Sequence, residues 1–381
     1  MAERVLVCMS GGVDSTVAAL LLLEAGHDVA GVTFWFWSFP GAPDYAGKTK
    51  CCSLTSASLA AQELGIPHRT IDASEDFYNL VLKDFTARYR RGETPSPCGR
   101  CNRLLRFGLA LRLAAEEGFD RVATGHHARI VVGDSGRREL HRAKDAAKDQ
   151  SYFLYGLRED DLERLAFPVG TLAKEEVFAV ARRRGLHAAT LPESQDLCFA
   201  LEGKVDFLFR AEDFAPGPIL DREGRVLGEH EGLPRYTIGQ RRGIGISSPH
   251  PLYVVALDRA TNALVVGEER DLYSCGLEAV EASFLSGEPP ADGTRVEAKV
   301  RYRSPPVPAR FHAAPGAGFL LEFDSPERAV TPGQVVALYD GDRLLGGGTI
   351  ARALRPNEGP PWPESRAGPI MGSESAPRRG G

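Results

Sequence analysis

Between an apolar run, Val5–Met9, and a helix-forming run, Thr16–Leu23, stands the segment Ser10-Gly-Gly-Val-Asp-Ser15. Paired glycines let the backbone turn tightly and approach a ligand with no Cβ in the way. The N–H groups that open the following helix have no partners within it, and with the helix dipole they form an anion site. Ser10, Ser15 and Thr16 add hydroxyl donors. No lysine follows, so this is not the Gly-x-x-x-x-Gly-Lys loop of γ-phosphate transfer. The bland alternative is a glycine turn with Ser15 as a helix cap. The flanking strand and helix are the context that a phosphate-binding loop needs, and they count against it.

Cysteines supply the second kind of chemistry. Thr94-Pro-Ser-Pro-Cys98-Gly-Arg-Cys101-Asn-Arg places two thiols in a proline-stiffened loop, with Cys101 expected at the start of a helix running from Asn102. A helix N-terminus lowers a thiol pKa, and Arg100 and Arg103 are expected to act the same way. Such a thiolate is a nucleophile. A third thiol, Cys198, follows Glu193-Ser-Gln in Asp196-Leu-Cys198-Phe. Only folding could bring it to Cys101. Zinc is a weak alternative for Cys98 and Cys101, because no second Cys-x-x-Cys or His-x-x-x-His appears. Taken alone, Cys198 in an apolar setting reads as packing. The remaining cysteines are Cys8, Cys51, Cys52 and Cys275. An odd total of 7 argues against a disulfide framework.

Basic residues crowd the same region. Lys83, Arg88, Arg90, Arg91, Arg100, Arg103, Arg106 and Arg112 stand against Asp84 and Glu93. Further groups are Arg137, Arg138, Arg142, Lys144 and Lys148, then Arg241-Arg242, then Lys299, Arg301 and Arg303. Patches of this kind bind phosphate backbones by counterion release. Any one of them is more often a solvated face. The net charge is −5, so nucleic-acid binding would have to be local.

Elements must position these groups. The 381 residues, 43% hydrophobic and 25% charged, suit a soluble globular protein of two or three domains. Apolar runs at Arg4–Cys8, Val29–Phe36, Arg69–Ile71 and Arg121–Thr124 alternate with helical patterns at Ser15–Ala25, Leu54–Leu64 and Asn102–Glu117. That alternation predicts a parallel sheet covered by helices. After about Val205, Gly and Pro punctuate short alternating runs, which predicts small all-β modules. The expected division is residues 1–205, 206–278 and 279–355, with a disordered tail over 356–381. No signal peptide or membrane span is read, so a cytoplasmic protein with no membrane partner is expected.

The loop Met9–Thr16 resembles the PP-loop, which holds the pyrophosphate of ATP while the α-phosphate is attacked. That much also fits NAD synthetase, GMP synthetase, argininosuccinate synthetase and tRNA lysidine synthetase. The further stretches Thr94–Asn102, Ala123-Thr-Gly-His126, Lys148–Tyr155, Phe167-Pro-Val-Gly170, Tyr236–Arg241, Ala329–Gln334 and Leu345-Gly-Gly-Gly348 narrow it. In that order they resemble the tRNA-specific 2-thiouridylase (tRNA-uridine 2-sulfurtransferase) family, from Met9 to about Ile350.

The resemblance implies an α/β fold: a Rossmann-like PP-loop domain of the adenine nucleotide alpha-hydrolase type, a small central β domain and a C-terminal β-barrel. It implies that Met9, Ser10, Gly11, Gly12, Val13, Asp14, Ser15 and Thr16 bind ATP with Mg2+, with Phe34 and Gly125 near adenine or ribose. Cys101 would be the nucleophile and Cys198 the persulfide carrier, ending as a Cys101–Cys198 disulfide. Ser96, Pro97 and Cys98 would face the target base. His126, Lys148, Asp149, Gln150, Arg301, Tyr302 and Gln334 would contact tRNA. The implied partners are a tRNA anticodon stem-loop, with its wobble uridine (lysine, glutamate and glutamine tRNAs), and an upstream persulfide or sulfur-carrier protein.

One departure matters. Many family members have aspartate, a candidate general base, where this chain has Cys98. Three thiols, Cys98, Cys101 and Cys198, are the minimum for an open iron–sulfur cluster, which would replace the persulfide scheme. The persulfide scheme needs only Cys101 and Cys198 and stands ahead. Two rivals remain, another PP-loop adenylating enzyme and a non-catalytic RNA-binding protein. The first would leave the β modules unexplained, and the second would not need the Ser10–Ser15 loop.

Overall fold

The computed structural model describes residues 2–39, 54–193, 197–201, 204–314 and 316–355. Cys51, Cys52 and the expected tail over 356–381 lie outside the described residues. The first sheet contains β1 (Arg4–Cys8), β2 (Asp28–Trp35), β3 (His68–Asp72), β4 (Arg121–Thr124) and β7 (Leu165–Ala166), in the order β3-β2-β1-β4-β7. Every pairing in it is parallel. Strands covered on both faces read as unbroken apolar runs, and Val5–Cys8 is buried throughout.

Chain order reverses direction at β1, whose neighbours are β2 on one side and β4 on the other. The carboxyl ends of β1 and β4 sit in register, Cys8 opposite Thr124. Ligands bind at such a switch point, where the connections diverge and leave a crevice. The Ser10–Ser15 loop leaves one of these ends and the Gly125–His127 turn leaves the other. Helix Val13–Glu24 covers one face of the sheet. Its Val13, Val17, Ala18 and Leu20 pack on Val177 and Ala181 of helix Lys174–Arg183.

The alternation seen in the sequence hides one exception. β5 (Ala128–Val132) and β6 (Arg138–Arg142) form an antiparallel hairpin that leaves the parallel sheet. It joins the last sheet instead, through His141 opposite Arg343. The central sheet, β10-β11-β8-β9, is mixed and comprises β8 (Gly217–Leu220), β9 (Val226–His230), β10 (Tyr253–Asp258) and β11 (Ala263–Gly267). It carries its own core of Ile219, Leu233, Tyr236, Val254, Leu264 and Val266.

The remaining strands are β12 (Tyr273–Phe284), β13 (Arg295–Lys299), β14 (Val307–Ala313), β15 (Phe319–Arg328), β16 (Val335–Asp340) and β17 (Arg343–Leu354). They close into a six-stranded antiparallel barrel by the pairing of β12 with β17. Closure removes the unpaired edges that an open sheet would expose. β12 starts at Tyr273 and runs through position 278, where the central unit was expected to end. The largest core is shared. Leu6, Val32 and Phe34 of the first sheet belong to one cluster with Val335, Ala337, Tyr339 and Leu344 of the barrel. No helix among the described residues is long and apolar enough to cross a membrane.

Candidate active site

Gly11 turns the loop with φ +79°, and a Cβ there would lie 2.6 Å from Ser56 Cβ and 2.7 Å from Ala57 N. No side chain fits that position. Gly12 differs, since a Cβ would meet only Ser10 Oγ at 3.5 Å. Gly12 is the residue that caps helix Val13–Glu24, with no side chain closing the cap. The first N–H groups of that helix are therefore left for a ligand. Ser15 Oγ and Thr16 Oγ1 donate to Gly12 O at 3.1 and 3.0 Å, and Ser15 Oγ accepts from Ser10 N at 3.2 Å. These short-range bonds fix the loop's shape from within. Gly125 closes the crevice, because a Cβ on it would lie 2.5 Å from Ser15 N.

Asp14, in the first turn, is the charged group of this loop. Lys174 Nζ donates to both of its carboxylate oxygens at 2.7 Å, and His127 Nε2 lies 3.0 Å from Oδ1. Burial pushes the Asp14 carboxyl up, but His127 and Lys174 overcome this and hold it below its usual range. Lys174 also faces Glu193 Oε1 at 3.4 Å, and Glu193 is bound in turn by Lys148 at 2.6 Å. His126 points elsewhere. Its Nδ1 meets Thr124 Oγ1 at 2.7 Å, and its ring packs on Phe107 and Phe167. Burial, with Arg106 and His127 nearby, drives its pKa down to about 3, so it stays neutral at working pH.

The cysteine loop is built differently. Its helix starts earlier than Asn102, with Ser96 at the cap and Pro97 in the first turn, where proline's missing N–H costs nothing. The helical segment is Pro97–Cys101, a π turn over Asn102–Arg106 and helix Phe107–Glu116. Cys101 thus lies a turn inside and is 5% exposed, rather than at the helix start. Arg100 and Arg103 pair with Glu281 at 3.6 and 3.7 Å, and Arg100 also with Asp84 at 3.4 Å. Arg106 is a cation near Cys98, and it acts on Cys8, Cys98 and His126. Burial wins at Cys98, which with Cys101 beside it is raised to about 11.

The barrel grips this loop. Thr94 N and Ser96 N donate to Pro332 O and Gly333 O at 2.8 and 3.2 Å, and Gln334 Nε2 donates to Thr94 O at 2.7 Å. Gly333 adopts φ +89°, and its Cα stands against Glu93 and Thr94 so closely that a Cβ would come within 3.0 Å of both. Glu281 is the electrostatic anchor. It has φ +52°, unusual for a non-glycine residue, at an irregularity in the β12–β17 register. It takes Arg88 Nη2 at 3.0 Å and Thr349 Oγ1 at 2.9 Å besides Arg100 and Arg103. Arg88, expected in a basic patch, is bound to Asp84, Glu93 and Glu281, and Arg90 to Asp213.

Cys198 packs against the large core cluster to which Cys101 also belongs. Phe199 fixes the segment on Phe77 and Phe85, 5.8 and 5.1 Å away. Burial raises the Tyr302 phenol above its usual range, with Asp149 adding to the effect. It packs on Phe153 at 4.5 Å. No group of three or more His, Cys, Asp or Glu among the described residues could hold a metal ion. Cys98, Cys101 and Cys198 do not form such a group, which favours the persulfide scheme.

Family models match three consecutive parts of the chain. They are a tRNA methyl transferase HUP domain over residues 3–202, a tRNA methyl transferase PRC-barrel domain over 205–268 and an aminomethyltransferase beta-barrel domain over 274–350. The tRNA-specific 2-thiouridylase MnmA of Chloroflexus aurantiacus is 45% identical over 357 residues, covering 92% of this chain and 98% of its own. That of Moorella thermoacetica is 46% identical, covering 91% and 98%. The chain belongs to the tRNA-specific 2-thiouridylase family.

Among the positions that the family likeness marked, Gln150 stands beside the nucleotide loop, where its Oε1 accepts from His127 N at 2.9 Å, and Ser96 caps the helix that carries Cys98. Asp149 is 3% exposed, and its carboxylate accepts from Ala143 N, Ser151 N and Ser151 Oγ. Arg301 donates to Ala329 O, Thr331 Oγ1 and Ile238 O, tying the central unit to the barrel. Phe34 is buried in the large core. Sequence reasoning missed Lys174, His127 and Glu281. Lys174 had no signal beyond its place at a helix start. Glu281 owes its role to three arginines that only folding gathers.

Proposed function

We propose that this chain thiolates a tRNA uridine at C2 at the expense of ATP. The observation that supports the reading is an anion site with uncapped helix N–H groups at the switch point of the sheet, in a chain whose Cys101 and Cys198 both belong to or pack on that sheet's core. ATP, entering with Mg2+, would place its pyrophosphate on the Gly12–Ser15 backbone. The uridine O2 attacks the α-phosphorus and pyrophosphate leaves. The terminal sulfur of a Cys198 persulfide then attacks C2, and AMP departs with the old oxygen. Cys101 attacks the inner sulfur of Cys198 and releases the transferred sulfur to the base. A Cys101–Cys198 disulfide remains, which an external thiol reduces.

The descriptions of two matching models speak of methyl transfer. Methylation of a base needs a methyl donor, and a pyrophosphate cradle does not serve it. The base must be splayed from its loop to expose C2. The wobble uridine of lysine, glutamate and glutamine tRNAs is the proposed target. Ser96, Pro97, Cys98, His126, Lys148, Gln150 and Tyr302 are proposed to receive the base and its flanks. Asp149, Arg301 and Gln334 would hold those elements in place. We place the protein in the cytoplasm, loaded by a sulfur-carrier protein, and divide it near residues 205 and 272.

The test is ATP/pyrophosphate exchange with and without an unmodified anticodon stem-loop, alongside nucleoside mass spectrometry. Exchange that requires tRNA, with oxygen replaced by sulfur in one uridine, is expected. Exchange without tRNA, or methylated product, would overturn the proposal.

A further inference from the structure

Four groups of basic residues stand out in the sequence, and folding neutralises most of two of them. In the first, Arg88, Arg90, Arg91, Arg100 and Arg103 each pair with a carboxylate. In the second, Arg137, Arg138, Arg142, Lys144 and Lys148 each face a glutamate within 3.4 Å. A cation so placed must give up its partner before it can neutralise a phosphate. Arg241, Arg242 and Arg303, from the other two groups, have no carboxylate partner among the described residues, and all three are exposed.

Folding gathers these three at one seam. Arg301 Nη2 donates to Ile238 O at 3.3 Å, and a Cβ on Gly239 would lie 3.6 Å from the same nitrogen. Arg241 follows Ile238 by three positions and Arg303 follows Arg301 by two, so all three issue from the contact between the central unit and the barrel. The turn that carries Arg241 and Arg242 is braced. Gln240 Oε1 accepts from Thr237 N at 3.1 Å, and its Nε2 donates to Arg242 O at 2.9 Å. Gly239 N and Gln240 O bond Val254 of β10 at 2.8 and 2.9 Å, and Tyr236 and Ile244 sink into the central core. A backbone fixed beforehand has less ordering to lose when its exposed side chains meet a ligand. The seam also adjoins the nucleotide crevice. Tyr302, between Arg301 and Arg303, packs on Phe153 at 4.5 Å, and Phe153 N donates to Gln150 O at 3.0 Å.

We propose that Arg241, Arg242 and Arg303 form a phosphate-contacting patch that holds the tRNA backbone flanking the target uridine, whatever the base sequence. The inference rests on the reading of this chain as a tRNA-thiolating enzyme.

A salt titration of RNA affinity on the full chain tests it. Kd for an unmodified lysine tRNA transcript is measured by fluorescence anisotropy from about 50 to about 300 mM KCl. Arg241→Ala with Arg242→Ala is expected to weaken binding roughly 30-fold at about 100 mM and to lower the slope of log K against log salt by about 1.5–2. Arg303→Ala should lower that slope by about 1. The double lysine variant, Arg241→Lys with Arg242→Lys, should restore the slope, because a phosphate takes a point charge from either side chain. A transcript whose wobble uridine is replaced by cytidine should show the same loss, since phosphate contacts carry no sequence. Arg183→Ala, which removes an equally exposed cation without a carboxylate partner among the described residues from helix Lys174–Arg183, should change neither affinity nor slope. An unchanged slope in the double alanine variant, a loss that lysine does not restore, a loss confined to one transcript or an equal loss in Arg183→Ala would overturn the proposal. A wild-type chain with no affinity for the transcript would instead defeat the tRNA reading itself.

Discussion

The nucleotide loop and the cysteine loop are held by opposite means. The nucleotide loop shapes itself, since Ser10, Gly12, Ser15 and Thr16 bond one another across five residues or fewer. The cysteine loop depends on residues from another unit, with Gln334 reaching Thr94 across 240 residues and Glu281 clasping Arg88, Arg100 and Arg103. Phosphate recognition uses backbone groups, which a local turn can aim. Sulfur chemistry needs two thiols from distant segments, and only a tertiary frame can hold them. The chain therefore separates a self-sufficient half-site from a dependent one.

Substitutions can break this comparison at either end. The largest effect is expected at the thiols. Cys101→Ser or Cys198→Ser should leave no detectable thiolated uridine by mass spectrometry while ATP affinity is kept, since serine offers neither persulfide nor thiolate. Thiolation by Cys198→Ser would sink the sulfur scheme. Next comes the nucleotide loop. Gly12→Val should fold normally, because its Cβ has room, yet lose roughly 100-fold in ATP affinity by filling the anion site. Gly11→Ala should instead lower the melting temperature, for its Cβ has nowhere to go.

The dependent half should respond to the barrel. Glu281→Gln removes the charge that three guanidinium groups share. A loss of about 1–3 kcal/mol in stability is expected, between that of exposed and buried pairs. Thiolation should fall about tenfold with ATP binding unchanged. Equal losses in both would mean that the two half-sites are not separable.

Smaller effects sharpen the picture at Cys98. With its pKa near 11, Cys98 should react with iodoacetamide roughly 100-fold more slowly at pH 7.5 than an ordinary thiol. Cys98→Ala should keep activity within about tenfold, and Cys98→Asp should restore more, because the persulfide scheme needs only the other two thiols. The smallest effect concerns His126, held neutral in the fold down to about pH 3. Unfolding lets it take up a proton, so stability should fall as pH drops from about 6.5 toward 3. Urea titrations of His126→Asn should show a shallower fall over that window.

The self-sufficient half was also the legible one. A contiguous motif between a strand and a helix announced the loop. Leu54–Leu64 and Arg121–Thr124 appear where the periodicity placed them. The helix around Cys101 was placed too late, because Pro97 read as a loop stiffener when it is a helix opener. The β5–β6 hairpin was hidden because alternation gives strands but not the sheet they join. Arg88, Arg100 and Arg103 looked like a basic surface because their counter-charge, Glu281, lies far along the chain.

The bond from Gln334 to Thr94 also sets an order of events during synthesis. A ribosome adds roughly 5–20 residues per second, so the 240 residues between them take roughly 10–50 s. In the last part of that interval, once Cys198 has been made, the nascent chain carries the phosphate cradle beside thiols that the barrel does not yet hold. The growing protein can meet nucleotide well before it can be trusted with sulfur.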